Sequence, residues 1–503
     1  MKLNKKVVML ILDGWGICKP DKFNAIDNAK HPNYDKLIKK YPNILLKSDG
    51  PAVGLPEGQF GTSEINHQIM GGGRIIYQDL PKINHEIETG RFYTNVSLVK
   101  TNEHVNKNKS ALHLIGILSD GGIHSSILHL KALLKLAKLQ GIEKTFLHVF
   151  TDGRDTPPKS AKKYFDILQT FKKEFNFEIA TIQGRFWLDR DRDWEKTKTA
   201  VDLITEGKGN YFTSPQNVID FSYNQKIDDE FFKQFILEKN GTIKPDDAVI
   251  LFNYRTDRAY QIIKELLDRK IKNLMVTTFV EVSEEFKQCL VAFPRQEINL
   301  TLSEVLSVNK RRQYHLSETE KFTHITKFFN GGREVRFDLE DWEVVESNRF
   351  IKPQYNLEPS MKCFTLAQKT IDKIEESKTD FIMVNFPNAD MVGHLGNYNA
   401  AVVAVEAVDY CLGKIYTCLE NKLDKYCLII TADHGNSEQM WDYINNQPHS
   451  QHTLNPVPFI FVSDIKCKLD KKESLQDVAP TILYVMGIDK PEIMTGNSLI
   501  IHE

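Results

Sequence analysis

Cysteine is scarce, with seven residues in 503 and none spaced as CxxC, which excludes a fully paired disulfide framework. Cys411 and Cys418 lie seven apart in a helical pattern and read as one core-facing stripe in a reducing compartment. Long apolar runs are also missing: nothing approaches the ~18 residues of a membrane span. The start Met1-Lys-Leu-Asn-Lys-Lys mimics a signal peptide, but its apolar stretch Val7–Leu12 meets Asp13-Gly14 without a cleavage site. Surplus positive charge is absent too, with 65 Lys and Arg against 67 Asp and Glu, so nucleic-acid binding through bulk charge is excluded. Internal repeats and low-complexity segments are lacking. These absences point to a cytoplasmic protein with no membrane or nucleic-acid partner.

What is present is a core-forming composition, 41% apolar and 26% charged, in a chain long enough for several domains. Short apolar runs alternate with amphipathic stretches along nearly the whole length. Val7–Leu12, Ala111–Leu118, Thr145–Thr151, Glu178–Ile182, Ala248–Asn253, Leu274–Phe279, Phe381–Phe386, Tyr426–Thr431 and Val457–Val462 read as buried strands. Ser126–Gln140, Ala161–Phe175 and Arg258–Arg269 read as helices between them. This alternation implies α/β domains with largely parallel sheets. Polar, Pro-broken Tyr77–Asn84 and the stretch Phe293–Leu300 are candidate linkers. If both are linkers, a middle domain is inserted into an outer one built from the two chain ends.

The chemistry lies after the strands. Val7–Leu12 ends in Asp13, Phe381–Phe386 leads to Asp390 and His394, and Tyr426–Thr431 leads to Asp433 and His434. His449 and His452 precede Val457–Val462. Ligands of open parallel sheets bind beyond the carboxyl ends of strands, so these residues are placed to converge. Mixed carboxylate and imidazole donors suit Mn²⁺ or Zn²⁺. Any one of them alone is a turn former or an ordinary surface or core histidine; the shared placement favours a metal. Gly61-Thr62-Ser63-Glu64 reads as a helix start. On local evidence Ser63 is an N-cap, although a nearby metal would make it a nucleophile.

Arginines mark the middle segment. Arg154, Arg185, Arg190, Arg255 and Arg258 follow predicted strands and form a plausible anion pocket, with Asp155 a candidate general acid and base. Arg192 reads as a solvated ion-pair partner. A small molecule with two anionic ends would account for the gathered cations.

The ordered set Asp13-Gly14, Gly61-Thr-Ser63-Glu64, Ser119-Asp-Gly-Gly-Ile-His124, Asp152-Gly-Arg154-Asp155, Gly184-Arg185 and Asn253-Tyr-Arg255-Thr-Asp-Arg258 resembles the cofactor-independent phosphoglycerate mutases. Glu318-Thr-Glu-Lys321, Asp390-Met-Val-Gly-His394, Ala432-Asp433-His434-Gly-Asn436 and His452-Thr-Leu-Asn-Pro continue the match to the chain's end. The resemblance implies an alkaline-phosphatase-like parallel-sheet domain, residues 1–76 and 307–503, with an inserted α/β phosphotransferase domain at 77–306. It implies two Mn²⁺ ions, one held by Asp390, His394 and His452, the other by Asp13, Ser63, Asp433 and His434. Ser63 would accept the phosphoryl group. His124, Arg154, Asp155, Arg185, Arg190, Arg255, Arg258 and Lys321 would hold the phosphoglycerate, with no bisphosphoglycerate cofactor and a monomeric enzyme. The implied reaction interconverts 3- and 2-phosphoglycerate through phosphoserine, with Asp155 moving the proton and the two domains closing over the substrate.

Thr62 stands where the family has Asn, Ile65-Asn66 replaces Val-Gly before His67, and Leu395 replaces Thr. The stretch from Arg185 to Arg190 is one residue short, which makes Arg190 the weakest assignment. A metal phosphohydrolase or sugar-phosphate mutase is the nearest rival, and the Asp152–Asp155 and Asn253–Arg258 motifs argue against it. A noncatalytic anion-binding protein would need broken metal ligands, and none is broken.

Overall fold

The computed structural model describes residues 3–294, 297–470 and 474–501. The chain divides into two compact units, Met1–Tyr77 with Gln296–Glu503, and Gln78–Arg295. Each is built on its own sheet.

The outer unit's sheet runs Glu340–Val345, Gln313–Glu318, Phe381–Phe386, Lys6–Leu12, Tyr426–Thr431, Val457–Val462, Asn43–Leu46. The first five strands are mutually parallel, Val457–Val462 runs antiparallel to them, and Asn43–Leu46 pairs antiparallel with Val457–Val462. Val7–Leu12 and Phe381–Phe386 are buried on both faces, as continuous apolar runs in a covered parallel sheet should be. Register then places the chemistry. Ile11 pairs with Thr431, so Asp13 and Asp433 each lie two residues beyond paired positions at the same end of neighbouring strands.

The middle unit's sheet runs Leu290–Val291, Met275–Thr278, Ala248–Leu251, Leu112–Leu118, Thr145–Thr151, Glu178–Gly184, Phe235–Ile236, Asn210–Tyr211, and is parallel apart from the pairing of Glu178–Gly184 with Phe235–Ile236. Its helices include Ile127–Leu139, Ala161–Lys172 and Tyr260–Asp268.

Two expectations need correction. Tyr77–Asn84 is no open linker: an α-helix spans Asp79–Glu88, with Pro81 in its first turn, where a missing N–H breaks no helical bond. The second division falls after Arg295, not at 306, because Ile298, Leu302, Val305 and Leu306 are buried in the outer unit's core. Among the described residues no helix is long and apolar enough to cross a membrane, and all seven cysteines are free thiols.

Candidate active site

Two clusters stand beyond strand ends, one in each unit. In the outer unit the helix Ser63–Gly72 begins the first. Thr62, not Ser63, is its N-cap, and its hydroxyl accepts from the Ile65 N–H at 3.4 Å. The cap role is therefore filled one residue early, which leaves the Ser63 hydroxyl free for chemistry. Ser63 Oγ lies 2.6 Å from Lys321 Nζ and 2.8 Å from His434 Nε2. Lys321 Nζ also lies 2.7 Å from Asp13 Oδ1 and 2.7 Å from Asp390 Oδ2. One buried ammonium thus faces two carboxylates, with Asp433 close enough to help hold it charged against the cost of burial.

The remaining donors form two groups. His394 Nε2 is 3.1 Å from His452 Nε2 and 3.1 Å from Asp390 Oδ1, and His452 Nε2 is 3.4 Å from the same oxygen. His434 Nε2 is 3.3 Å from Asp433 Oδ2 and 3.9 Å from Asp13 Oδ1. One atom each from Asp390, His434 and His452, and one each from Asp13, Asp433 and His434, also come together. His394 is 39% exposed, whereas Asp13, Asp433 and His434 are wholly buried. Asp390 and His394 sit one turn apart, His394 capping the short helix Asn388–Gly393.

These residues fit a divalent cation. His394 donates Nδ1–H to Ser450 O and His452 donates Nδ1–H to Gly61 O, each at 2.8 Å. In the neutral rings both Nε2 lone pairs then point into the space that an Asp390 oxygen also faces, three acceptors with no donor among them. In the second group Asp433 Oδ2 is buried without a hydrogen-bond donor. Burial and the neighbouring Asp433 push the Asp13 carboxyl well above the usual carboxylate range. A cation between these groups removes both conflicts.

Several supporting residues escaped the sequence reading. Asn385 Nδ2 donates to Asp13 Oδ2 at 2.8 Å, and Asn436 Nδ2 donates to Asp390 Oδ1 at 2.9 Å. The signal for Asn385 was a lone amide inside the buried apolar strand Phe381–Phe386, a placement that demands a polar partner. His67 donates Nδ1–H to Ser63 O at 2.8 Å within the same helix.

The middle unit's cluster centres on Arg185, which is 1% exposed at the end of Glu178–Gly184. Its Nη1 lies 2.6 Å from both Asp152 Oδ1 and Asp155 Oδ2, and its Nη2 donates to His124 Nε2 at 2.7 Å. Burial and the Arg185 guanidinium lower the His124 pKa to about 4, so its ring is neutral. Asp257 takes ion pairs from Arg190 at 3.1 Å and Arg255 at 3.2 Å, and faces His124 Nδ1 at 3.5 Å. The shortened loop therefore still brings Arg190 into the cluster. Arg154 is about half exposed and paired only loosely with Glu230 at 3.4 Å. Arg258 is buried and donates Nη1 to Leu188 O at 2.7 Å and Arg185 O at 3.3 Å. Burial and its neighbours Arg185 and Arg190 depress its guanidinium pKa. Lys321 alone among the expected phosphoglycerate ligands lies in the outer unit. Arg192 sends its backbone N–H to Gln261 Oε1 and stands outside the cluster.

A family model described as the metalloenzyme superfamily matches residues 5–490. The 2,3-bisphosphoglycerate-independent phosphoglycerate mutase of Clostridium botulinum (strain ATCC 19397 / Type A) is 42% identical over 509 residues, covering 99% of each chain. That of Clostridium tetani is 43% identical over 514 residues, again covering 99% of both. Among solved structures, a Leishmania mexicana phosphoglycerate mutase at low cobalt concentration aligns with a TM-score of 0.55 at 28% identity, covering 99% of this chain and 98% of that one.

Proposed function

The chain belongs to the 2,3-bisphosphoglycerate-independent phosphoglycerate mutases of the metalloenzyme superfamily, and from that membership we propose how its own residues interconvert 3- and 2-phosphoglycerate. The observation that carries the reading is Ser63: a helix-start hydroxyl relieved of capping and held between a buried ammonium and an imidazole. Nothing in a merely structural serine needs that company.

We assign Asp390, His394 and His452 to one Mn²⁺ and Asp13, Ser63, Asp433 and His434 to a second. A divalent cation bound there would lower the pKa of the Ser63 hydroxyl and offset charge on the phosphoryl oxygens. Ser63 Oγ forms a bond to phosphorus as the bond from phosphorus to the substrate's C3 oxygen breaks. Lys321 stays on the transferring group, where negative charge is concentrated. The Asp155 carboxylate takes up the proton that Ser63 loses and gives it to the departing glycerate oxygen. It then takes one from the C2 hydroxyl, whose oxygen attacks phosphorus and releases Ser63, and that proton returns to Ser63 Oγ. Atoms and charge return to their starting state, so no cofactor is consumed.

The glycerate end falls to His124, Arg154, Arg185, Arg190, Arg255 and Arg258. Arg185 fixes Asp155 by ion pairing and His124 by hydrogen bonding, so acid, base and orienting groups share one anchor. Arg154 and Arg255 are half exposed and have capacity left for an anion. Glycerate must stay bound long enough to re-attack, and high effective concentration then favours return to its other oxygen over attack by water.

The test is conversion of 3-phosphoglycerate to 2-phosphoglycerate without added bisphosphoglycerate, with Mn²⁺ and after exhaustive chelation. Product with Mn²⁺ and none after chelation is expected. Full activity in protein shown metal-free by elemental analysis would overturn the metal assignment.

A further inference from the structure

Glu438 lies four residues beyond His434, is 1% exposed, and belongs to neither donor group. Its carboxylate nevertheless touches the loops that carry Asp13, Asp433 with His434, and His452. Oε2 accepts from the Gly16 N–H at 3.1 Å, on the loop that follows Asp13. The same oxygen accepts from the Asn436 N–H at 2.8 Å, on the loop of Asp433 and His434. Oε1 accepts from the Thr453 hydroxyl, next to His452, and from Asn455 Nδ2 at 2.9 Å. Asn436 in turn holds Asp390 through its side-chain amide.

The packing agrees with the hydrogen bonds. A side chain at Gly16 or Gly435 would run into the Glu438 carboxylate, so both loops close on it to a distance only glycine permits. Four donors from three chain segments meet on two oxygens, and a neutral amide could not accept from all of them. Such a residue fixes loops relative to one another. It makes no contact of its own with the Ser63 hydroxyl or with Lys321 among the hydrogen bonds and ion pairs of the described residues.

We propose that Glu438 is a positioning residue for the metal centre: it ties the Asp13, Asp433–His434 and His452 loops into one frame and so sets the affinity for the divalent cation. The inference rests on the two-metal reading above. Partners behind metal ligands typically change affinity by about 10–100-fold when removed. A role limited to folding would lower the amount or thermal stability of native protein and leave the affinity of the folded fraction untouched.

The experiment is calorimetric titration of the metal-stripped full chain with Mn²⁺ alone, for wild type, Glu438→Gln and Asp433→Asn. The expected result for Glu438→Gln is a Mn²⁺ dissociation constant raised about 10–100-fold, with the KM for 3-phosphoglycerate unchanged and kcat recovering towards wild type at saturating Mn²⁺. A Glu438→Gln isotherm superimposing on wild type overturns the inference. Wild type that binds no Mn²⁺, or Asp433→Asn that binds like wild type, breaks the metal reading instead. Should Glu438→Gln fail to fold by circular dichroism, Thr453→Val and Asn455→Ala each remove one donor from the same carboxylate. Weaker Mn²⁺ binding by both supports the inference, and unchanged binding by both overturns it.

Discussion

The two units hold clusters with opposite deficits. In the outer one, Asp13, Asp390 and Asp433 are buried around a single ammonium, and the Asp13 carboxyl is pushed up by burial and by its anionic neighbour. In the middle one, four arginines share Asp152, Asp155, Asp257 and Glu230, and the guanidinium of a fifth, Arg258, is pushed down by burial and by its cationic neighbours. One is short of positive charge and the other of negative charge. The first is preorganised and sealed except at His394, which suits the proposed site for small ions. The second leaves Arg154 and Arg255 half exposed, as a site that binds and releases an organic anion must. A largely parallel sheet serves both, and the residues after its strands set the chemistry.

The contrast breaks most sharply at Ser63. Ser63→Ala should lower 2-phosphoglycerate production by about 10⁴-fold or more, since nothing else receives the phosphoryl group. Its circular dichroism should match wild type, and residual activity within tenfold of wild type would sink the phosphoserine route.

In the middle unit the expected losses are graded. Asp155→Asn removes the proposed proton carrier but keeps its shape, and kcat should fall about 10²–10⁴-fold with a smaller change in KM. A rise in KM with kcat preserved would make Asp155 a binding residue only.

Arg255 and Arg258 sharpen the comparison further. Arg258 is committed to two backbone carbonyls, so its removal also disturbs the Arg185 loop. Arg255 is the cleaner probe. Losing one charge-assisted contact costs roughly 1.5–3 kcal/mol, or about 10–150-fold in glycerate retention. Arg255→Ala should therefore slow isomerisation and raise the ratio of inorganic phosphate to 2-phosphoglycerate, both assayed in one reaction. An unchanged ratio would remove Arg255 from guarding the intermediate.

The smallest effect concerns stability. In the middle unit Asp247, His113, His148 and Thr181 form a buried hydrogen-bonded chain with spacings of 3.1, 2.9 and 2.9 Å. Burial lowers the pKa of both imidazoles, that of His148 well below its ordinary value, so the fold favours their neutral forms. The unfolded chain takes up protons first. The stability they contribute is thus present above about pH 6.5 and lost as pH falls towards the folded values, with His148 contributing the larger part. Hydrogen exchange of 112–118 and 145–151, corrected for its intrinsic pH dependence, should show this loss, and His113→Asn should reduce it. Equal protection above and below about pH 6.5 would mean the fold does not favour the neutral pair.

Much of this was legible because apolar runs mark central strands. Thr145–Thr151, Phe381–Phe386, Tyr426–Thr431 and Val457–Val462 form where the runs predict them. Gln313–Glu318 was invisible, being polar at four of six positions yet wholly buried. Each of these residues has tertiary partners: Gln313 donates to Ser303 O, His315 to Ile325 O, Ser317 to Asn385 O, and Glu318 accepts from Ser347 and the Lys362 N–H. Hydrophobic periodicity carries no trace of such partners. Strand-end Asp and His residues could be read as a site for the same reason the strands could. The meeting of Lys321 with Ser63 could not, since 258 positions separate them and only the folded sheet brings them together.

The unequal exposure of the donors has a kinetic consequence. His394 reaches solvent, whereas Asp13, Asp433 and His434 do not, so an ion beside His394 can trade its ligands for water one at a time. An ion among the sealed donors has no such stepwise exit. Chelator-driven release of Mn²⁺ should therefore run in two phases, a fast one at the open position and a slow one limited by local opening of the fold. The open position would follow changes in metal supply, while the sealed one would preserve the history of the molecule's assembly.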